Sequence, residues 1–252
     1  MGKPHGARQQ SGHRKSRQLS SLVDAPTPRP KAVLHRAHLT EITPLTDTQR
    51  QFAEHYTANA EAIIVQGAPG TGKSFLSLYH AVADALTSKR QRRVVIVRSA
   101  VPSRSMGFLP GTEDDKLGIY QAPYRDMCGR MFQMADAYER LVAQGTIEFM
   151  STSYLRGMTW DDAIVIVDEC QNMSEMELHT VMTRLGQRSR IIFCGDVGQT
   201  DLTKSSDRSG WPAFAAVLQS LPMVKSITYT ADDIVRSPLV KAYLLAWIAR
   251  KP

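Results

Sequence analysis

The sequence predicts an α/β protein, a three-layer fold with a mostly parallel sheet behind a disordered basic tail, on three observations. Uninterrupted apolar runs at 62–65, 94–97 and 163–167 have the pattern of strands buried on both faces of a parallel sheet. These runs alternate with segments of helical spacing, the order that puts helices on both sides of a sheet. Glycine-rich and polar residues gather just after the runs, at the carboxyl ends of the predicted strands, where open α/β sheets bind ligands.

Charge and composition bound the rest. A chain of 252 residues with 42% apolar composition can bury a sizeable core. No run reaches the roughly 18 apolar residues of a membrane span, so no membrane partner is expected. Cys128, Cys170 and Cys194 have no C-x-x-C spacing and indicate neither a disulfide framework nor a zinc site, and a reducing cytoplasm is the expected compartment. The net charge of +7 sits at one end: residues 1–40 carry eight Lys or Arg and one acidic residue, Asp24, whereas 41–252 are balanced. With almost nothing apolar before Gln18 and three prolines between Ala25 and Pro30, the chain divides into a disordered tail, 1–40, and one domain, 41–252. The tail is either a basic arm for RNA, DNA or an acidic partner, or a solvated segment without specific use.

The first predicted helix runs from an N-cap at Thr46 to about Ala58. It carries Gln49, whose amide offers the donor and acceptor that adenine's Hoogsteen edge requires, although a glutamine near a helix start is usually surface. The strand 62–65 leads into Gly67-Ala68-Pro69-Gly70-Thr71-Gly72-Lys73-Ser74, which fits the phosphate-loop pattern G-x-x-x-x-G-K-[ST], and a helix from Phe75 to Leu86 follows. The three glycines let backbone N–H groups close in on phosphate oxygens at a helix N-terminus. Lys73 would reach the β- and γ-phosphates and Ser74 would offer its hydroxyl to Mg²⁺.

The strand 93–98 gives way to a loop, 99–115, rich in proline and glycine; Arg98, Ser103 and Arg104 there either touch a nucleic acid backbone or are solvated. Apolar residues at helical spacing from Tyr120 to Ala143 predict one helix, and 146–150 a strand. The run 163–167 ends in Asp168-Glu169, which puts two carboxylates at the carboxyl end of a buried strand. Asp168 would bind Mg²⁺, directly or through water, and Glu169 would orient and deprotonate an attacking water. After a helix at 174–185 comes the strand 190–194. In additional-strand phosphate-loop enzymes this strand lies between the two already described, which would aim Gln199 at the γ-phosphate. A helix at 211–221, a strand at 225–229 and a helix at 238–249 complete the chain.

Together these motifs resemble the PhoH-like P-loop ATPases of bacteria and bacteriophages, relatives of superfamily 1 helicases. The resemblance covers about Leu45 to Leu245. It rests on Gly67–Ser74, on Arg98 with Ala100 and Val101, on 107–111, on Val167-Asp168-Glu169-Cys170-Gln171-Asn172 and on 183–186. Further on it rests on Gly195-Asp196 with 199–202, on Ser209-Gly210 and on Asp233-Ile234-Val235-Arg236. The resemblance implies a P-loop NTPase (RecA-like) fold, ATP and Mg²⁺ as cofactors, and a homo-oligomer in a hexameric ring acting on single-stranded RNA or DNA. The alternative is an ATP-switched binding module without strand separation. Superfamily 1 helicases draw a catalytic arginine from a second domain; this chain has room for one, which implies an arginine from a neighbouring copy, Arg236 first and Arg184 second. Such a finger is worth roughly 10³–10⁵ in rate. Either arginine could instead serve a structural ion pair.

Overall fold

Strands β1 (Ala62–Gly67), β2 (Arg93–Arg98), β3 (Ile147–Ser151), β4 (Ala163–Asp168), β5 (Arg190–Gly195) and β6 (Val224–Tyr229) form one sheet in the order β3-β2-β4-β5-β1-β6. Every neighbouring pair is parallel. This is a computed structural model, and it describes residues 1–2, 32–88, 93–99, 113–196 and 209–250. The fold is that of the unit Val33–Pro252, and Met1–Ala32 is a second unit. Residues 3–31 of the predicted tail lie outside the described residues, whereas 33–40 belong to the fold against the disorder expected there, with Leu34 and Leu39 buried in its core.

Before, between and after the strands run α1 (Asp47–Thr57), α2 (Lys73–Thr87), α3 (Glu113–Phe132), α4 (Ala137–Ala143), α5 (Glu175–Met182), α6 (Trp211–Gln219) and α7 (Pro238–Ala249). Because strand side chains alternate between faces, the sheet builds two cores. On one face Ile63, Val65, Val94, Ile96, Ile164, Ile166 and Ile192 meet Phe52 of α1, Leu78 and Val82 of α2, Met131 of α3 and Leu141 of α4. On the other, Ile64, Val95, Val97, Val165, Val167 and Phe193 meet Leu178 and Val181 of α5 and Trp211 and Phe214 of α6. Each such side chain contributes about 1.5–3 kcal/mol when fully buried, so double-sided burial dictates the apolar runs. The three-layer α/β prediction holds. So does the placing of β5 between β1 and β4.

Local signals set the ends. The Thr46 hydroxyl accepts from the Gln49 amide (3.3 Å) and starts α1. Ser174 and Glu177 exchange hydrogen bonds in a capping box that starts α5 (2.8 and 3.3 Å). One element differs from expectation: the segment from Tyr120 to Ala143 is two helices. Gln133 adopts a left-handed φ of 51°, and the Ala137 amide closes a turn onto the Met134 carbonyl (3.2 Å). The break lets α4 lay Tyr138 and Leu141 on the sheet. The closing helix α7 buries none of its residues, and Leu239, Tyr243 and Trp247 are exposed.

Candidate nucleotide-binding site

The carboxyl ends of β1, β4 and β5 lie side by side, so the loops that leave them face one another. β1 ends at Gly67, whose φ of +126° and closeness to β6 exclude any side chain: a Cβ there would lie 1.9 Å from the Tyr229 carbonyl oxygen. The chain turns through Gly70 and Gly72, both left-handed, and enters α2 at Lys73. No side chain caps that helix, which leaves its first amides directed at the loop. The loop is braced from outside as well. The Val235 amide donates to the Gly70 carbonyl (3.0 Å), and the Thr71 hydroxyl to the Ala68 carbonyl (3.0 Å).

Lys73 bends back, its Nζ donating to the carbonyls of Gly67 (2.7 Å) and Ala68 (2.6 Å). Burial pulls its pKa below the ordinary lysine value, against the attraction of Asp196, Glu169 and Asp168. The Ser74 hydroxyl donates to Asp168 Oδ1 at 2.7 Å, and the Tyr124 hydroxyl of α3 to Asp168 Oδ2 at 2.8 Å. Glu169 follows with a left-handed φ of 57° that turns its side chain off the strand direction. Burial, then the adjacent Asp168, pushes its pKa above the ordinary glutamate value; Arg98, Gln171 and Lys73 pull the other way. Gln171 spans two strand tips, its Nε2 donating to Glu169 Oε2 (2.5 Å) and its Oε1 accepting from the Asp196 amide (2.9 Å).

These groups enclose a cavity of about 300 Å³ lined by Pro69, Gly70, Gly72, Lys73, Ser74, Phe75, Asp168, Glu169, Gln171, Asp196 and Arg236, among others. A second cavity of about 390 Å³ adjoins it across Gly70, Gly72, Phe75 and Arg236, with Ile42, Leu45, Gln49 and Met127 in its wall. The structure thus brings together Gly67 to Phe75, Asp168, Glu169 and Arg236. Gln199 lies outside the described residues, as do Ser103 and Arg104.

Three expectations meet a different arrangement. Gln49 is buried, its Oε1 accepting from the Leu45 amide (2.7 Å) and its Nε2 donating to the Thr71 carbonyl (2.9 Å), so the amide offered to adenine already braces the phosphate loop. Arg236, expected to reach a neighbouring copy, packs on its own loop: a Cβ on Gly70 would lie 2.9 Å from its Cγ and 3.2 Å from its Nε. Arg98 is neither a solvated loop residue nor free of the carboxylates: it sits opposite Asp168 in register, with its guanidinium 5.7 Å from the Tyr120 ring. Arg184, the second candidate for a neighbouring copy's site, donates to the Met158 carbonyl (3.4 Å) and lies outside this chain's own cavity. Sequence reasoning missed Tyr124, which the helical pattern presents as one more core aromatic, and gave Gln171 no role beyond its place in a motif.

Comparison with known proteins shows the family. The family model described as PhoH-like protein matches residues 41–247. The PhoH-like protein of Bacillus subtilis (strain 168) is 36% identical over 200 residues, 79% of this chain and 61% of that one. That of Mycobacterium leprae (strain TN) is 33% identical over 209 residues, 82% and 58%. The chain therefore spans about 60% of the length of such curated relatives. Among solved structures, a crystal structure of the Candida albicans Pif1 helicase is similar at a TM-score of 0.35 and 13% identity, over 75% of this chain and 41% of that one.

Proposed function

The chain belongs to the PhoH-like family, a P-loop NTPase, and from that premise we propose that it binds ATP with Mg²⁺ and hydrolyses it. One observation carries the reading: Ser74, Asp168 and Glu169, from two different elements, converge on the cavity beside the phosphate loop. Ser74 and Asp168 are hard oxygen donors 2.7 Å apart, a set that suits Mg²⁺. Among the described residues no group of three or more His, Cys, Asp and Glu could hold a metal, so the remaining ligands would be phosphate and water. When bound, the ion supplies charge neutralisation between the β- and γ-phosphates.

The loop amides and the N-terminus of α2 bind the phosphates, and Lys73 exchanges the Gly67 and Ala68 carbonyls for phosphate oxygens. Glu169 accepts a proton from water as the water oxygen bonds to the γ-phosphorus and the bond to the β–γ bridging oxygen breaks, giving ADP and phosphate. Burial raises the basicity of Glu169 above that of a surface carboxylate, and Gln171 holds its orientation. Arg236 serves its own chain's nucleotide from beside Gly70. Assembly into a hexameric ring and coupling of hydrolysis to single-stranded RNA or DNA complete the reading; the family's resemblance and the basic tail support them. Glu169→Gln is expected to keep ATP affinity and lose at least about a hundredfold in turnover, whereas Lys73→Ala weakens binding itself. Normal hydrolysis by Glu169→Gln would remove the proposed base.

A second reading is an ATP-switched interface. It is favoured by the contacts from the loop to the last helix and the segment before it: the Val235 amide donates to the Gly70 carbonyl, and Leu244 of α7 lies 3.5 Å from the Gly70 Cβ position. ATPase rates with and without single-stranded RNA separate the two, since a pure switch gains nothing from RNA at low salt.

A further inference from the structure

We propose that Tyr124 is a positioning residue for the cation site: its buried hydroxyl fixes the Asp168 carboxylate so that the oxygen beside Ser74 is presented to Mg²⁺. The inference rests on the Mg²⁺-dependent reading above and adds a residue from α3, an element that reading does not use.

Tyr124 is 1% exposed, and its ring lies 5.7 Å from that of Phe149 on β3, which holds the phenol in place from the sheet side. The hydroxyl donates to Asp168 Oδ2 at 2.8 Å while Ser74 donates to Oδ1 at 2.7 Å. The two oxygens of one carboxylate are therefore held from two helices, α3 and α2. A carboxylate torsion is otherwise broad and roughly two-fold, and two opposed donors remove that freedom. Arg98 stands opposite Asp168 on β2, and the two charges share this end of the sheet. An ionised carboxylate can only accept, so the tyrosine's single proton is committed to Asp168. Tyr124 and Ser74 thus both donate into the one carboxylate that would hold the ion.

Removing the hydroxyl keeps the ring and its packing but leaves Asp168 Oδ2 buried without its donor, so the carboxylate can pivot away from Ser74. A hydrogen bond to a charged group is strong enough that Tyr124→Phe should raise the Mg²⁺ concentration giving half-maximal gain in nucleotide affinity by about tenfold. The probe is a fluorescent ADP analogue titrated into the full chain across a Mg²⁺ series and in EDTA. Affinity in EDTA should be the same in both proteins, because the loop amides and Lys73 are untouched. Phe149→Leu, which loosens the ring contact that holds the phenol, should shift the Mg²⁺ midpoint in the same direction by roughly threefold. A Tyr124→Phe chain that melts at a lower temperature yet has the wild-type Mg²⁺ midpoint overturns the proposal, since the hydroxyl then only stabilises the fold. If that variant does not fold, an unchanged midpoint in Phe149→Leu overturns it instead. Wild-type protein whose nucleotide affinity gains nothing from Mg²⁺ would overturn the Mg²⁺-dependent reading itself, and this proposal with it.

Discussion

At the scale of single residues, the backbone around the site tolerates few alternatives. Gly67→Ala would drive a Cβ to 1.9 Å from the Tyr229 carbonyl oxygen in a conformation that L side chains rarely adopt. The expected outcome is a chain that melts several degrees lower and no longer binds nucleotide, measured by thermal unfolding and by titration; wild-type affinity in that variant would contradict the observed approach of β1 to β6. Gly67, Lys73, Ser74 and Asp168 were legible in the sequence because their chemistry dictates residue types at fixed spacing next to an apolar run. Tyr124 was not, because a phenol in a helical stripe packs like any other aromatic ring, and only the fold reveals what its hydroxyl touches. Gln49 was half legible. Its position beside the loop was correctly read, but its burial (4% exposed) and its two backbone partners depend on how α1 docks.

At the scale of elements, α1 and α2 enclose an aromatic cluster with a pH consequence. The His80 ring sits 5.6 Å from Phe52, 5.3 Å from Tyr56 and 5.3 Å from Tyr79. Burial first, then the positive charges of Arg190 and Arg36, lowers its pKa from 6.5 to about 4. Below pH 6.5 the unfolded chain gains a proton that the folded chain refuses until about pH 4. Stability is therefore lost as pH falls through that window, by at most about 3 kcal/mol, and the loss levels off below it. His80→Gln should flatten this part of the melting-temperature profile; an unchanged slope would assign the acid sensitivity elsewhere. The elements themselves were mostly legible, since double-sided burial makes strands into apolar runs and Ser174 and Thr46 announce their helices. The break between α3 and α4 was not legible, because neither glycine nor proline stands at the left-handed position; Gln133 does, with its side chain donating to the Arg130 carbonyl (2.8 Å) and the Met134 amide to the Gly129 carbonyl (3.0 Å).

At the scale of the whole molecule, the seat of Arg236 changes what a mixture of variants should do. On the proposed role of Arg236 at its own phosphate loop, a subunit would need its own Arg236 and its own Glu169. Mixing Arg236→Ala with Glu169→Gln should leave the sample inactive although mass measurement shows that the two co-assemble; recovery of activity would instead assign the arginine to a neighbour's site. The parallel topology carries a last consequence, for how such a chain comes into being. β1 finds its partners only in β5 and β6, Ala62 pairing with Ile191 and Val224. A nascent chain that has already emerged past the phosphate loop must wait until β5, from Arg190, has been made before that strand has an edge to join. A ribosome stalled before Arg190 would therefore hold a chain whose apolar β1 is an unpaired target for chaperones.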